Sequence, residues 1–283
     1  MLRTASVRVL GDRDHADVRR LLDADPVRHV FVNSRLRSNG FDPGRLGAEL
    51  WGYVEDGELQ ALCYSGANLV PVNAGSRAAW HFAEQARWRG RRCSSIVGPV
   101  DEVTDLWRHL EPHWGPPRAI RARQPVLEIT ALPAHVRPDP GVRRVTMENF
   151  PLLYPACVAM FTEEVGVSPS GDSRDGDALY RSRTEELVRS GRSFAHIEDG
   201  RVVFKAEIGA VTPQACQVQG VWVHPELRGQ GRSVPGMAAV VRAALADFAP
   251  RVTLYVNDFN LPARAAYDHV GFREVDAAMS ILF

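Results

Sequence analysis

The stretch Val221-Trp222-Val223-His224-Pro225-Glu226-Leu227-Arg228-Gly229-Gln230-Gly231-Arg232-Ser233 decides the fold. Its first three residues read as the end of a strand and its two glycines as a loop. Val234–Phe248 follows as a helix, because Met237, Val240, Val241, Ala244, Leu245 and Phe248 recur at the spacing of one buried stripe. Pro235 falls in the first turn, where a missing N–H costs little. A strand running through a glycine loop into a helix makes an anion site. The glycines let successive backbone N–H groups turn inward, and the helix adds the positive end of its dipole. A pyrophosphate can be held there largely by main chain. Gly229-Gln230-Gly231 also begins like a dinucleotide fingerprint, but Val234 stands where the third glycine belongs and Asn257, not an acid, follows the next strand. A bare glycine turn is the remaining alternative for the loop taken alone.

The continuation separates these readings. After a strand at Val252–Val256 comes Asn257-Asp258-Phe259-Asn260-Leu261-Pro262-Ala263-Arg264-Ala265-Ala266-Tyr267-Asp268-His269-Val270-Gly271-Phe272. The two segments together resemble the acetyl-CoA-binding core of the GNAT superfamily of N-acetyltransferases. Arg228–Ser233 is similar to that family's pyrophosphate loop, Gln/Arg-x-x-Gly-x-Gly/Ala, departing only at the small Ser233. Asn260, Ala263, Tyr267 and Gly271-Phe272 match its later Asn-x-x-Ala-x-x-x-Tyr-x-x-x-Gly-Phe pattern. The resemblance covers Val142–Phe283. It implies that acetyl-CoA is the co-substrate, that its pantetheine arm adds like a strand along Val221, Trp222 and Val223, and that Arg228, Gly229, Gln230, Gly231, Arg232 and Ser233 hold the pyrophosphate. It further implies an oxyanion donor at the N–H of Val223 or His224 and Tyr267 as general acid toward the departing thiolate. Asn260 lies seven residues before Tyr267, about 10 Å along a helix and on the same face. It caps that helix and touches the cofactor.

An amine must lose a proton before it attacks, so a base is required. Along a helix at Phe150–Val165, Leu153, Cys157 and Met160 form an apolar stripe on which Glu164 falls, while Glu163 is rotated off it. Glu164 is therefore the first choice, the other reading being a carboxylate frayed into solvent at the helix end. Glu207 on its strand, His224 and the carboxylate of Phe283 are alternatives, a solvated strand face or an ion pair being the other readings of Glu207. Some relatives place a Glu base before the loop, but Gln217 and Gln219 stand there and neither serves. The polar stretch Gly166–Asp177 is the expected acceptor wall, where Asp172, Asp175 and Asp177 draw in a cationic amine, or else a solvated loop.

Working outward, Ile129–Gly141 carries three prolines and a closing glycine between Glu128 and Arg144, as a linker does. Val7-Arg8-Val9-Leu10 and Val142-Arg143-Arg144-Val145, 135 residues apart, open similar successions of elements. The expectation is two GNAT-like domains in tandem, 1–134 and 140–283, each α/β (α+β) with a mixed, largely antiparallel central sheet flanked by helices. In the first, Asn73-Ala74-Gly75 stands where the loop belongs, with no counterpart of Arg228 and no later motif. That repeat is read as keeping the fold without the cofactor site. The arrangement resembles an actinobacterial tandem group whose N-terminal half is a domain of unknown function.

Composition narrows the partners. Lys plus Arg (34) balances Asp plus Glu (34), so the chain lacks the basic excess of a nucleic-acid binder. Lys205 is the one lysine and sits in Val-Val-Phe-Lys-Ala-Glu, which excludes a P-loop. Cys63, Cys93, Cys157 and Cys216 match no metal or disulfide pattern. No apolar run approaches a membrane span and the N-terminus reaches charge too early for a signal peptide, so a cytoplasmic protein is expected. The reading is an acyltransferase moving acetyl from acetyl-CoA directly to a primary amine of a small molecule, peptide or protein, without metal. The alternative is a non-catalytic acetyl-CoA sensor or scaffold.

Overall fold

The computed structural model describes residues 5–169 and 174–283. The chain forms two units: one runs to Leu127 and includes Tyr255–Phe259 and Glu274–Phe283, and the other comprises Glu128–Leu254 and Asn260–Arg273.

The first unit contains β1 (Ala5–Val9), α1 (His15–Asp23), α2 (Val30–Asn39), the single turn α3 (Pro43–Leu46), β2 (Ala48–Glu55), β3 (Glu58–Gly66), β4 (Asn68–Val72), α4 (Ser76–Arg89), β5 (Ser95–Pro99), α5 (Val100–Trp114) and β6 (Ala119–Ile129). Strand side chains alternate between faces, and both faces are covered. Trp51, Tyr53, Ala61 and Cys63 meet Phe82 of α4 and Leu106 and Leu110 of α5. Their neighbours Leu50, Leu62 and Tyr64 meet Leu21, Leu22, Val32 and Leu36 of α1 and α2.

The apolar run Leu59–Val72 predicts one strand, but the chain turns back at Gly66-Ala67. β3 and β4 pair antiparallel, with Leu62 opposite Val72. A Cβ at Gly66 would lie 2.7 Å from the Gly47 carbonyl oxygen, so the reversal depends on that glycine. β4 and β5 pair parallel across the helical connection of α4. The terminal strand Arg273–Leu282, last in the second repeat by sequence order, runs antiparallel to β5 with Ala278 opposite Pro99 and Leu282 opposite Ser95. Met279 and Ile281 enter the α4–α5 core, and Ser280 Oγ donates to Gln124 Oε1 at 2.5 Å.

The second unit contains β7 (Arg143–Arg144), α6 (Phe150–Val165), α7 (Arg174–Arg189), β8 (Ser193–Glu198), β9 (Arg201–Val211), β10 (Cys216–Val223), α8 (Ser233–Asp247), β11 (Val252–Tyr255) and α9 (Leu261–Val270), the terminal strand being β12. Its strands lie in the order β11-β10-β9-β8-β7. All these pairs are antiparallel except β10 with β11. The Asp199-Gly200 turn joins β8 to β9 with both residues at positive φ, 50° and 71°, the twist that a two-residue hairpin favours. The stripe Leu153, Cys157 and Met160 is buried against Val202 and Trp222. On α8, Met237, Val240, Val241 and Ala244 are buried, and Gly236 leaves room for the Phe204 ring, which an added Cβ would meet at 2.7 Å.

The sequence reads as a helix around Ala178–Ser190, and α7 begins four residues earlier, at Arg174. Each unit is thus mixed α/β with a mostly antiparallel sheet flanked by helices, as expected. Among the described residues no helix is long and apolar enough to cross a membrane.

Candidate active site

The site grows from a parting of two strands. β10 and β11 pair only at Cys216–Val252 and Gln217–Thr253. Beyond them β10 continues to Val223 with one edge unpaired among the described residues. On its other edge β10 is bulged: Gln219 lies opposite Glu207 and Trp222 opposite Lys205, with Gly220 at φ +61° between them. The His224 N–H donates to the Val203 carbonyl at 3.0 Å, inside the sheet. Ladder groups alternate in direction, so the N–H and C=O of Val223 face the unpaired edge. Of the two donors expected for an oxyanion, His224 is already engaged and Val223 is the one directed outward.

Arg228 lies at this edge. Its Nε donates to the Val223 carbonyl at 3.0 Å and its Nη2 to Glu163 at 2.7 Å. Trp222 Nε1 donates to the same carboxylate at 3.2 Å. The loop itself turns on Gly229 and Gly231, both at φ +75°, a left-handed conformation that disfavours a Cβ. Among the described residues the N–H groups of Gly229, Gln230 and Gly231 donate to no backbone acceptor. Gln230 Nε2 donates to the Glu226 carbonyl at 2.9 Å, and Arg232 pairs with Glu198 at 2.8 Å. Ser233 opens α8, so the helix N-terminus follows the exposed amides directly. This combination of glycines, free N–H groups and a helix N-terminus fits a pyrophosphate.

Asn260 caps α9, its Oδ1 accepting from the Ala263 N–H at 3.3 Å. Two turns on, Tyr267 is 7% exposed, its ring edge-on to Phe272. Burial, and then the charge of Glu164, push its phenol well above the ordinary range. The same carboxylate contributes to the upward shift of Tyr180, where burial is the larger cause. Tyr267 and Glu164 therefore share one electrostatic environment, although Glu164 is itself exposed at the end of α6.

The other base candidates are placed differently. Glu207, 7% exposed, accepts from Gln219 Nε2 at 2.9 Å and from Lys205 Nζ at 3.4 Å. Both of its oxygens are thus engaged. His224 Nδ1 is buried without a hydrogen-bond partner. The Phe283 ring belongs to the first unit, between Trp107 and Trp114. Asp172 lies outside the described residues, as does the side chain of Asp175. Asp177 accepts from Tyr154 Oη at 2.7 Å, and burial together with this bond pushes Tyr154 up to about 12.

Two features escaped the sequence reading. Glu163, set aside as off the stripe, is the residue that ties Trp222 to Arg228. The lone lysine is fully buried; burial, the largest single effect, pushes its pKa down, but the charges of Glu207 and Cys157 and the hydrogen bonds to both together outweigh it and the net direction is up. An ideal Cβ at Gly220 would lie 3.0 Å from Glu207 Cδ and 3.1 Å from Lys205 Nζ, so the bulge glycine gives this pair its space. The spacing of Lys205 and Glu207 on one strand places them on one face, but only the register brings in Gln219.

The corresponding loop of the first unit is chemically different. After β4, Asn73 adopts φ +54° and the Ala74 N–H donates to the buried carboxylate of Glu102 at 3.0 Å. Arg28 lies 3.5 Å from that carboxylate and pairs with Asp276 at 2.8 Å. A side chain of the same unit, Glu102, already occupies an amide of this loop.

Residues 158–272 match the family model described as acetyltransferase (GNAT) family. The C-terminal half carries a GNAT domain. Residues 48–153 match a domain of unknown function, DUF4081. No curated protein matches the chain. Among solved structures, a GCN5-related N-acetyltransferase from Sphaerobacter thermophilus is similar at TM-score 0.63 and 17% identity, covering 98% of this chain and 94% of its own. A GNAT-family acetyltransferase from Colwellia psychrerythraea gives TM-score 0.57 and 13% identity over 98% and 99%. A tandem GNAT protein from the clavulanic acid biosynthesis pathway gives 0.57 and 14% over 99% and 98%. At these identities the likeness is one of fold. The matched GNAT segment contains the unpaired edge of β10, the loop and Tyr267.

Proposed function

We propose that the second unit transfers the acetyl group of acetyl-CoA directly to a primary amine. The observation that carries this reading is the unpaired edge of β10, with the Val223 N–H directed outward and the strand leading into free glycine-loop amides. The pyrophosphate lies on Gly229, Gln230, Gly231 and the start of α8, flanked by Arg228, Arg232 and Ser233. The pantetheine arm takes the unpaired edge along Val221, Trp222 and Val223. Arg228 releases the Val223 carbonyl to admit it, and Asn260 holds the start of α9 beside it.

In the reaction the amine nitrogen attacks the thioester carbonyl carbon, and the resulting oxyanion accepts from the Val223 N–H. Collapse breaks the C–S bond, and the thiolate takes the Tyr267 proton. The proton lost by the amine passes to Glu164. Its exposure allows exchange with water, whereas Glu207 is buried. Burial keeps Tyr267 protonated across the neutral range, so it enters the reaction as an acid. No acyl-enzyme is formed.

The first unit binds no acetyl-CoA in this reading, since Glu102 occupies the amide that a phosphate needs. The acceptor is a small molecule, peptide or protein amine. Incubation with acetyl-CoA and a panel of these amines, with products read by mass spectrometry, tests the assignment. An acetylated product formed only with active protein supports it, and failure across the panel despite acetyl-CoA binding opposes it.

A further inference from the structure

The first unit carries a cationic aromatic cleft at the end of α4 remote from the loop after β4. Arg87-Trp88-Arg89-Gly90-Arg91-Arg92 places four guanidinium groups and an indole within six residues. A cavity of about 570 Å³ opens there, lined by Arg87, Trp88, Arg91, His113 and Trp114 with Glu84. A groove of about 320 Å³ adjoins it through Gly90 and Trp114 and takes in Trp51, Arg89 and Arg92.

Two of the four cations are locally compensated. Glu84 pairs with Arg87, and Glu49 pairs with Arg89 at 2.6 Å while accepting from Trp51 Nε1 at 2.8 Å. Arg89 lies 5.9 Å from the Trp51 and Trp88 ring centroids, with its Nε buried and without an acceptor. Glu49 thereby fixes one indole and one guanidinium in the groove wall. Arg91 and Arg92 make no ion pair among the described residues, and Arg91 stacks on the Phe283 ring at 4.6 Å. Basic residues compensate a helix C-terminus within its last turn. That accounts for Arg87 and Arg89 but not for the two arginines beyond Gly90.

Trp88 is 81% exposed beside these unpaired cations. A lone exposed indole needs no partner, but an indole opposite Trp114 across a cavity with free guanidinium groups is chemically specific. Indoles stack on planar rings, and guanidinium forks match phosphate oxygens. The volume suits a small ligand, for which about 300–1,000 Å³ is usual.

We propose that this cleft binds a nucleoside phosphate, with the base on Trp88 and Trp114 and the phosphate on Arg91 and Arg92. The site stands independently of acetyl transfer in the second unit. Its ligand is either a free mononucleotide or the phosphorylated end of a single strand, which share this chemistry.

The test is calorimetric titration of the full chain with AMP, ADP, adenosine, inorganic phosphate and a short 5′-phosphorylated single strand, each repeated in Gly231→Ala so that binding at the loop of the second unit is told apart. Expected is saturable nucleotide binding that weakens about tenfold or more in Trp88→Ala and in the Arg91→Ala/Arg92→Ala double variant, with unchanged circular dichroism. Both changes are at exposed positions. Inorganic phosphate binding as tightly as AMP, absence of saturable nucleotide binding, or full affinity in both variants would overturn the proposal. A strand that outcompetes AMP and loses affinity in the same variants supports the cleft and assigns its source to nucleic acid. The reverse order assigns it to free nucleotide.

Discussion

Gly231→Ala isolates the phosphate loop from the rest of the fold. Gly231 sits at φ +75°, and an added Cβ would meet nothing within 4 Å, so the penalty is conformational rather than steric. Holding a residue with a Cβ in the left-handed region costs about 1–2 kcal/mol, a modest part of the ~5–15 kcal/mol of a typical domain. The loop is exposed, so relaxation of its backbone is cheaper than retention of that strain. Relaxation turns the 231 N–H away from its ligand.

Loss of one hydrogen bond to a charged group is worth about 1.5–3 kcal/mol, or about tenfold to a hundredfold in acetyl-CoA affinity. Gly200→Ala is the matched control. Its φ of +71° and open surroundings impose the same backbone penalty in a hairpin turn outside the loop. Isothermal titration with acetyl-CoA and urea unfolding of parent and both variants provide the assay. Parent-like affinity in Gly231→Ala, or an equal loss in Gly200→Ala, would refute the reasoning.

Three further outcomes follow from the packing. Glu163→Gln weakens the hold on Arg228 at the β10 edge; an exposed ion pair is worth at most about 1 kcal/mol, so acetyl-CoA affinity rises by up to about fivefold, and a titration showing weaker binding would contradict Arg228 as a competitor for that edge. Asn260→Ala removes the α9 cap and costs about 1 kcal/mol in urea unfolding, with no change expected if the Ala263 bond contributes nothing. In the first unit, Arg8 and the Gly11 N–H hold Asp14, and the Arg8 bond leads the effects that lower its carboxyl to about 2. A depressed carboxyl stabilises the fold fully above its unfolded value and loses that contribution as pH falls through the folded one. Asp14→Asn therefore costs about 1–2 kcal/mol at neutral pH, and the gap between parent and variant closes from about pH 4 to about pH 2. A gap that persists at the acid end would contradict the linkage.

The elements that place the site were legible because periodicity, glycine and proline mark them locally. The stripe on α8, the Asn260 cap and the glycines of the loop each declare their geometry within a few residues. What could not be read depends on contacts between distant segments. The division of Leu59–Val72 into two strands depends on the crowding of Gly66 by Gly47. The pairing of β12 with β5 depends on Met279 and Ile281 finding the α4–α5 core. Helical spacing favoured Glu164 because it continues the apolar stripe, but it gave no means of seeing Trp222 and Arg228 converge on Glu163. Register across a bulge likewise brings Gln219 to Glu207. The cleft around Trp88 was masked by a whole-chain charge of zero, which averages away a cluster of four arginines.

Acetyl transfer by the second unit, with Tyr267 as the acid, is the central claim. Release of free CoA thiol from acetyl-CoA, followed with and without primary amines in parent and Tyr267→Phe, addresses it directly. The expected result is amine-dependent thiol release, slowed at least about a hundredfold in the variant with acetyl-CoA affinity nearly unchanged. Tight acetyl-CoA binding with no thiol release for any amine, or equal rates in parent and variant, would contradict it.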